Sequence, residues 1–208
     1  MTDRKALERE YNKYYADNPD IWIDYGRDEF ALLTLIDHIK SEPETLLDVG
    51  CGNGHTIELF SRHWKNTEYA GIDLSIKAIE LASKRVPEAM FINCFLDDIL
   101  YTQKFDVVLC LGVAEHFEDL QEGLQALRKT VKKDGIVYLE VPNCIGYPSS
   151  AEVEGFRRVN FGSGQTEWHL YRHTWERELN KAGFEIVKAI KGINIYSEFV
   201  WLLKDGTA

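Results

Sequence analysis

A chain of 208 residues is long enough for one α/β domain with a full core and demands no second one. With 45% hydrophobic and 28% charged residues, it has the composition of a folding chain and not of a disordered one. Its 34 acids against 24 bases give a formal net charge of −10, and no window carries the Lys/Arg cluster that tracks a phosphate backbone, which counts against nucleic acid as a partner.

No stretch approaches the roughly 20 apolar residues of a membrane helix, and the charged start "MTDRKALERE" lacks the apolar core of a signal peptide. A membrane partner is therefore not expected, and a cytoplasmic location is. Cys51, Cys94, Cys110 and Cys144 lie far apart with no C-x-x-C pair, so neither a zinc knuckle nor a disulfide framework is indicated.

In chain order, "DRKALEREYNKYYAD" and "RDEFALLTLIDHIK" carry apolar residues at three- and four-residue steps, which predicts two helices within residues 3–40 as an N-terminal cap. Strand-like and helix-like runs then alternate. The strands are "TLLDVG" (45–50), "EYAGID" (68–73), "MFINC" (90–94), "FDVVLCL" (105–111) and "GIVYLEV" (135–141), with helical runs near 55–65, 76–86 and 119–131. Such alternation implies a parallel sheet wrapped on both faces by helices through right-handed crossovers.

Some thirty residues without a convincing period follow Val141 before a helix near Thr174. A loop that long in a compact domain is usually functional, so 142–173 is read as a substrate-facing lid. The last two runs, "GFEIVKAI" (183–190) and "INIYSEFVWLL" (193–203), are separated by about two residues around Gly192, which permits only an antiparallel hairpin. The expected fold is one α/β domain over 1–208: a doubly wound, mostly parallel seven-stranded sheet with an antiparallel C-terminal strand.

The chemistry begins at "LLDVGCGNGHT" (46–56), where an apolar strand runs through Gly50, Gly52 and Gly54 into a helix. Without side chains, such a turn takes positive φ and lets a ligand approach the backbone. In open α/β sheets, ligands sit beyond the carboxyl ends of the strands, where this turn lies. A dinucleotide fingerprint would need glycine at position 55, which is His55, so the spacing speaks against NAD. The second strand ends "GIDLS", and Asp73 stands nineteen residues after Gly54, where an acid can accept from both hydroxyls of a ribose. The same acid could instead help to cap the following helix, a job that Ser75 could share.

The ordered set "DVGCGNG", "GIDLS", "KFDVVLCLGVAEHFED" and "LRKTVKKDGIVYLEVPN" resembles the class I S-adenosylmethionine-dependent methyltransferases, and most nearly the small-molecule branch containing the ubiquinone-biosynthesis type. The likeness covers about residues 40–200. It implies S-adenosylmethionine as cofactor and a small-molecule methyl acceptor. It further implies that Asp48, Gly50 and Gly52 hold the methionine end, Asp73 the ribose and Leu74 a face of the adenine. Leu111, at the end of the fourth strand, would offer a main-chain carbonyl beside the sulfonium. The adenine-edge acid, which the family often has directly after the third strand, falls here on Cys94 or Phe95, so Asp97 a little later is taken for that contact.

His116, in "GVAEHFED", is a candidate general base for the acceptor, because its unperturbed pKa lies near neutrality. A structural histidine bonded to a neighbouring loop is the alternative. His169 and Tyr171, in "TEWHLYRHTW", are candidate acceptor contacts because loops carry binding groups. The front segment adds Tyr11, Tyr14, Tyr15, Trp22 and Tyr25, and Arg27 within reach of the cofactor carboxylate. No metal is expected, since Glu115 and Asn143 offer too few hard oxygen ligands where magnesium-dependent relatives hold theirs. The reading is methyl transfer to O, N or C of a small molecule, with a non-catalytic S-adenosylmethionine-binding regulatory or scaffold module as the alternative.

Overall fold

The structure, a computed structural model, describes residues 4–99, 104–142, 155–158, 166–191 and 199–206. Two helices, α1 (Arg4–Asp17) and α2 (Tyr25–His38), precede β1 (Thr45–Val49), α3 (His55–His63), β2 (Glu68–Asp73), α4 (Ile76–Arg85) and β3 (Met90–Asn93). Then come β4 (Phe105–Leu111), α5 (Leu120–Thr130), β5 (Val131–Val141), β6 (Gly155–Arg158), β7 (Thr166–His169), α6 (Arg172–Lys181), β8 (Phe184–Lys191) and β9 (Phe199–Asp205). Short 3-10 turns occupy Leu96–Asp98 and Ala114–His116.

Seven strands form one sheet in the order β3-β2-β1-β4-β5-β9-β8. The strands from β3 to β5 pair in parallel, while β9 runs antiparallel to both β5 and β8. The mostly parallel seven-stranded sheet expected from the alternating pattern is therefore present.

Strand residues alternate between two cores. Leu47, Val49, Val108 and Cys110 face Leu124 and Leu127 of α5 and Trp175 of α6. Leu46, Val107 and Leu109 face Leu35 of α2 and Ile57 and Phe60 of α3. Each fully buried leucine of this kind contributes roughly 1.5–3 kcal/mol. These apolar layers fix the strand ends, and with them the loops that carry polar groups.

One expectation needs correction. Inside the presumed loop 142–173, β6 and β7 pair antiparallel as a separate ribbon, with Arg157 opposite Glu167 and Phe156 opposite Trp168. Four-residue strands are too short to show a period. The rest of that segment, 143–154 and 159–165 with Phe161, lies outside the described residues. The last strand is described over Phe199–Asp205, between β5 and β8, with Val200, Trp201, Leu202 and Leu203 all buried, and residues 193–198 of the run expected to form it lie outside the described residues. No helix among the described residues is long and apolar enough to cross a membrane.

Candidate functional site

Strand order reverses between β1 and β4, and beyond their carboxyl ends opens a cavity of about 1140 Å3. Gly50 and Cys51 both donate their amides to the Ile72 carbonyl at the end of β2, which stitches the glycine turn to the neighbouring strand. Gly52 has φ +52, and a Cβ there would lie 2.6 Å from the Tyr15 hydroxyl of α1. Glycine is thus required twice at that point, for the left-handed backbone and for the close approach of the tyrosine.

Asp73 is buried at the end of β2, and its two carboxylate oxygens accept from the amides of Gly52 (3.0 Å) and Ser75 (2.8 Å). Burial pushes its carboxyl up to about 6, with those two amides pulling the other way. The cavity is lined by Gly50, Gly52, Asp73, Leu74 and Leu111, together with Tyr11 and Tyr15 from α1. Asp48 lies lower on β1 at 2% exposure and does not line it. Burial first, and then the nearby Asp28, raise the Asp48 carboxyl well above its ordinary range, while Arg27 opposes them.

Downstream of β3, Cys94, Phe95, Leu96 and Asp97 line the same cavity. Asp97 is about half exposed and engaged by Arg4, which also reaches Asp98 at 3.1 Å and lies over the Phe95 ring at 4.6 Å. The acid read as the adenine-edge residue is therefore already paired with a guanidinium from α1.

A polar knot joins the helical cap to the glycine turn. Asp28, 1% exposed, accepts from Arg27 Nε (3.0 Å) and Thr56 Oγ1 (3.1 Å), and lies 2.8 Å from His55 Nδ1. Burial works against the Arg27 charge, but Asp28 and Glu140, the latter 3.9 Å away, more than offset it and hold the guanidinium firmly protonated. Arg27 Nη1 comes within 3.6 Å of where a Cβ on Gly112 would stand, at the end of β4. Asp28 gave no signal in the sequence, because its partners at 55 and 56 lie on another helix.

At the other end of the cavity stand Glu115, His116, Glu118, Asp119 and Glu122, with Glu167 contributed by the ribbon. His116 Nε2 is 3.9 Å from Glu115 Oε1 and 4.0 Å from Glu167 Oε1. Trp168 Nε1 donates to the Phe117 carbonyl at 2.7 Å and fastens the ribbon beside His116. His169 and Tyr171 do not line the cavity: His169 Nε2 faces Glu167 at 3.7 Å, and the Tyr171 ring stacks on His173 at 5.6 Å. Trp22 does line it, whereas Tyr25 packs edge-on against the His55 ring.

A parallel sheet with one late antiparallel strand, a glycine turn after β1 and an acid at the end of β2 define a Rossmann-like nucleoside-binding domain of the class I methyltransferase kind. A family model described as "Methyltransferase domain" matches residues 16–189, and the chain belongs to that family, the class I S-adenosylmethionine-dependent methyltransferases. The chain is 26% identical over 112 residues to a trans-aconitate 2-methyltransferase of Afipia carboxidovorans, covering 54% of this chain and 44% of that protein. It is 28% identical over 123 residues to a ubiquinone biosynthesis O-methyltransferase of Actinobacillus pleuropneumoniae, covering 52% of each. The chain thus spans about half the length of the curated relatives it matches. Its fold is shared with the 1,6-didemethyltoxoflavin-N1-methyltransferase of Burkholderia thailandensis, solved with 1,6-didemethyltoxoflavin and S-adenosylhomocysteine. That likeness has a TM-score of 0.78 at 17% identity, over 97% of this chain and 88% of that one.

The family's cofactor is S-adenosylmethionine, and the donor set fits it. A buried acid at the β2 end can take ribose hydroxyls, and a cationic Arg27 stands near the turn. The cavity is also larger than an ordinary single-ligand pocket of about 300–1000 Å3.

Proposed function

We propose that this chain transfers a methyl group from S-adenosylmethionine to O, N or C of a small molecule, in a cytoplasmic setting. The observation that carries the reading is the continuity of one cavity from Asp73 and the glycine turn to His116. A module that only bound the cofactor would have no need of the second half. When bound, S-adenosylmethionine supplies a methyl group on a cationic sulfonium, which leaves the protein mainly the task of positioning.

In this reading Asp73 accepts from the ribose, Leu74 and Asp97 flank the adenine, and Gly50, Gly52 and Arg27 meet the methionine carboxylate. The Leu111 carbonyl lies toward the sulfonium, and Asp48 sits beneath the turn as an electrostatic partner of Arg27. His116 takes the proton that a hydroxyl or amine acceptor gives up. His169 and Tyr171 act from behind the lining, through the segment 142–173 that covers the acceptor.

The carboxylates around His116 favour a neutral or cationic acceptor, an alcohol, phenol or amine, over an anionic one. The cationic side chains among the described lining residues are Arg4 and Arg27, and carboxylates already engage both. The test is calorimetric titration with S-adenosylhomocysteine, followed by tritiated methyl transfer to a metabolite extract. Binding and transfer are both expected; binding without transfer to any acceptor would favour the non-catalytic module.

A further inference from the structure

We propose that Glu167, delivered by the β6–β7 ribbon, is a positioning residue that orients the His116 ring and balances the charge it gains on taking the acceptor's proton. The proposal rests on the methyl-transfer reading above and assigns the ribbon a part in the chemistry.

The argument starts from the ring. Among the described residues, the carboxylates within 4.0 Å of its Nε2 are Glu115 of the same 3-10 turn, at 3.9 Å, and Glu167 of β7, at 4.0 Å. Carboxylates on one side of an imidazole favour the tautomer that carries its proton on that nitrogen, which leaves Nδ1 as the basic atom. A proton arriving at Nδ1 makes the ring cationic, and the carboxylates facing Nε2 then hold it in place. Distances of this size in a ligand-free site are open by the standard of a hydrogen bond and close in the working complex.

Glu167 is the one of the two that the fold supplies from far along the chain. It lines the cavity, and Trp168 next to it donates to the Phe117 carbonyl at 2.7 Å, one residue after His116. That bond fixes the approach of β7 to the histidine. Neither the four-residue strand nor the partly buried indole contact belongs to the seven-stranded sheet, which pairs without the ribbon. Burial raises the Glu167 carboxyl, and the nearby His116 opposes the rise. Among the described residues, other titratable groups facing the pair include Glu115, His169 at 3.7 Å from Glu167 and the Tyr11 hydroxyl from α1, which burial and then nearby carboxylates, Glu115 and Glu167 among them, hold protonated. Arg157 stands opposite Glu167 in the ribbon register.

The experiment is an NMR titration of the histidine ring protons in the 208-residue chain saturated with S-adenosylhomocysteine, with His116 assigned from the spectrum of His116→Gln. Wild type is compared with Glu167→Gln and Glu167→Asp. In Glu167→Gln the His116 midpoint is expected to move to lower pH, and Glu167→Asp is expected to restore part of the shift. S-adenosylhomocysteine affinity should stay within about twofold of wild type in both. In Glu167→Gln, tritiated methyl transfer to a metabolite extract should fall roughly tenfold in kcat/KM, with its acid limb displaced to lower pH. A His116 midpoint that is the same in all three proteins overturns the proposal, whatever happens to the rates. A wild type that binds S-adenosylhomocysteine but transfers no methyl group defeats the methyl-transfer reading instead, and the titration still decides the pairing.

Discussion

Two demands meet at Asp73, which in the proposed role must be ionised to take two ribose hydroxyls and yet is buried at 7% exposure. Its carboxyl sits at about 6, above the ordinary 3.8, so the protein without cofactor protonates it as the pH falls through that value. Cofactor binding favours the ionised form, so S-adenosylhomocysteine affinity should be full above pH 7 and decline below about 6. Asp73→Ala should lose roughly 10–150-fold in affinity at pH 8, the equivalent of about 1.5–3 kcal/mol for hydrogen bonds to a charged acceptor, and should lack that decline. Calorimetric titration across pH 5–8 checks both; equal affinity of the two proteins at pH 8 would refute the ribose assignment. The place of Asp73 was legible in the sequence because it is local: a strand end a fixed distance after a glycine turn. Asp28 was not, because its role exists only once α2 packs on α3 and brings it to His55 and Thr56.

Among the elements, the ribbon is tied beside His116 by the Trp168 indole bond to the Phe117 carbonyl. Trp168→Phe keeps the ring and removes the donor, at a cost of about 0.5–1.5 kcal/mol for a neutral hydrogen bond. Amides of β6 and β7 should exchange faster in that variant, while those of β4 and β5 stay unchanged. Hydrogen exchange followed by mass spectrometry reads the difference; equal exchange in the ribbon would show that the indole bond does not hold it. The sequence marked Trp168, His169 and Tyr171 as a cluster but passed over Glu167, a single acid in a segment with no period. The same shortness hid β6 and β7, whereas α3, α4 and α5 were plain from periodic apolar faces that the two cores then buried.

On the scale of the whole molecule, the mostly parallel sheet followed from the alternation of strand-like and helix-like runs, and the place of the cavity from the glycine turn after the first strand. The position of β9 did not follow, since a run of eleven residues that all suit a strand gives no register until neighbours select one. The helical cap was visible as two helices, but where α1 would lie was not. It runs from Arg4, beside Asp97 and Asp98, to Tyr15, beside Gly52, and along the way Asn12 Oδ1 accepts from Ser75 Oγ (2.8 Å) and the Lys77 amide (3.1 Å).

That placement makes α1 a bolt across the cofactor half of the cavity, and a light one. Tyr15, at 4% exposure, is the one buried residue of the helix, and exposed ion pairs such as Arg4–Asp98 are worth only about 0–1 kcal/mol. In the proposed reaction the spent cofactor lies beneath this helix, so its departure is expected to wait on the helix lifting. Loosening the bolt with Arg4→Ala and Asn12→Ala should then speed the departure of S-adenosylhomocysteine in stopped-flow chase experiments by more than it slows arrival. An unchanged departure rate would place the exit elsewhere. Anything that grips α1 from outside, whether a neighbouring chain or an antibody fragment, would act as a brake on turnover without ever touching the reacting atoms.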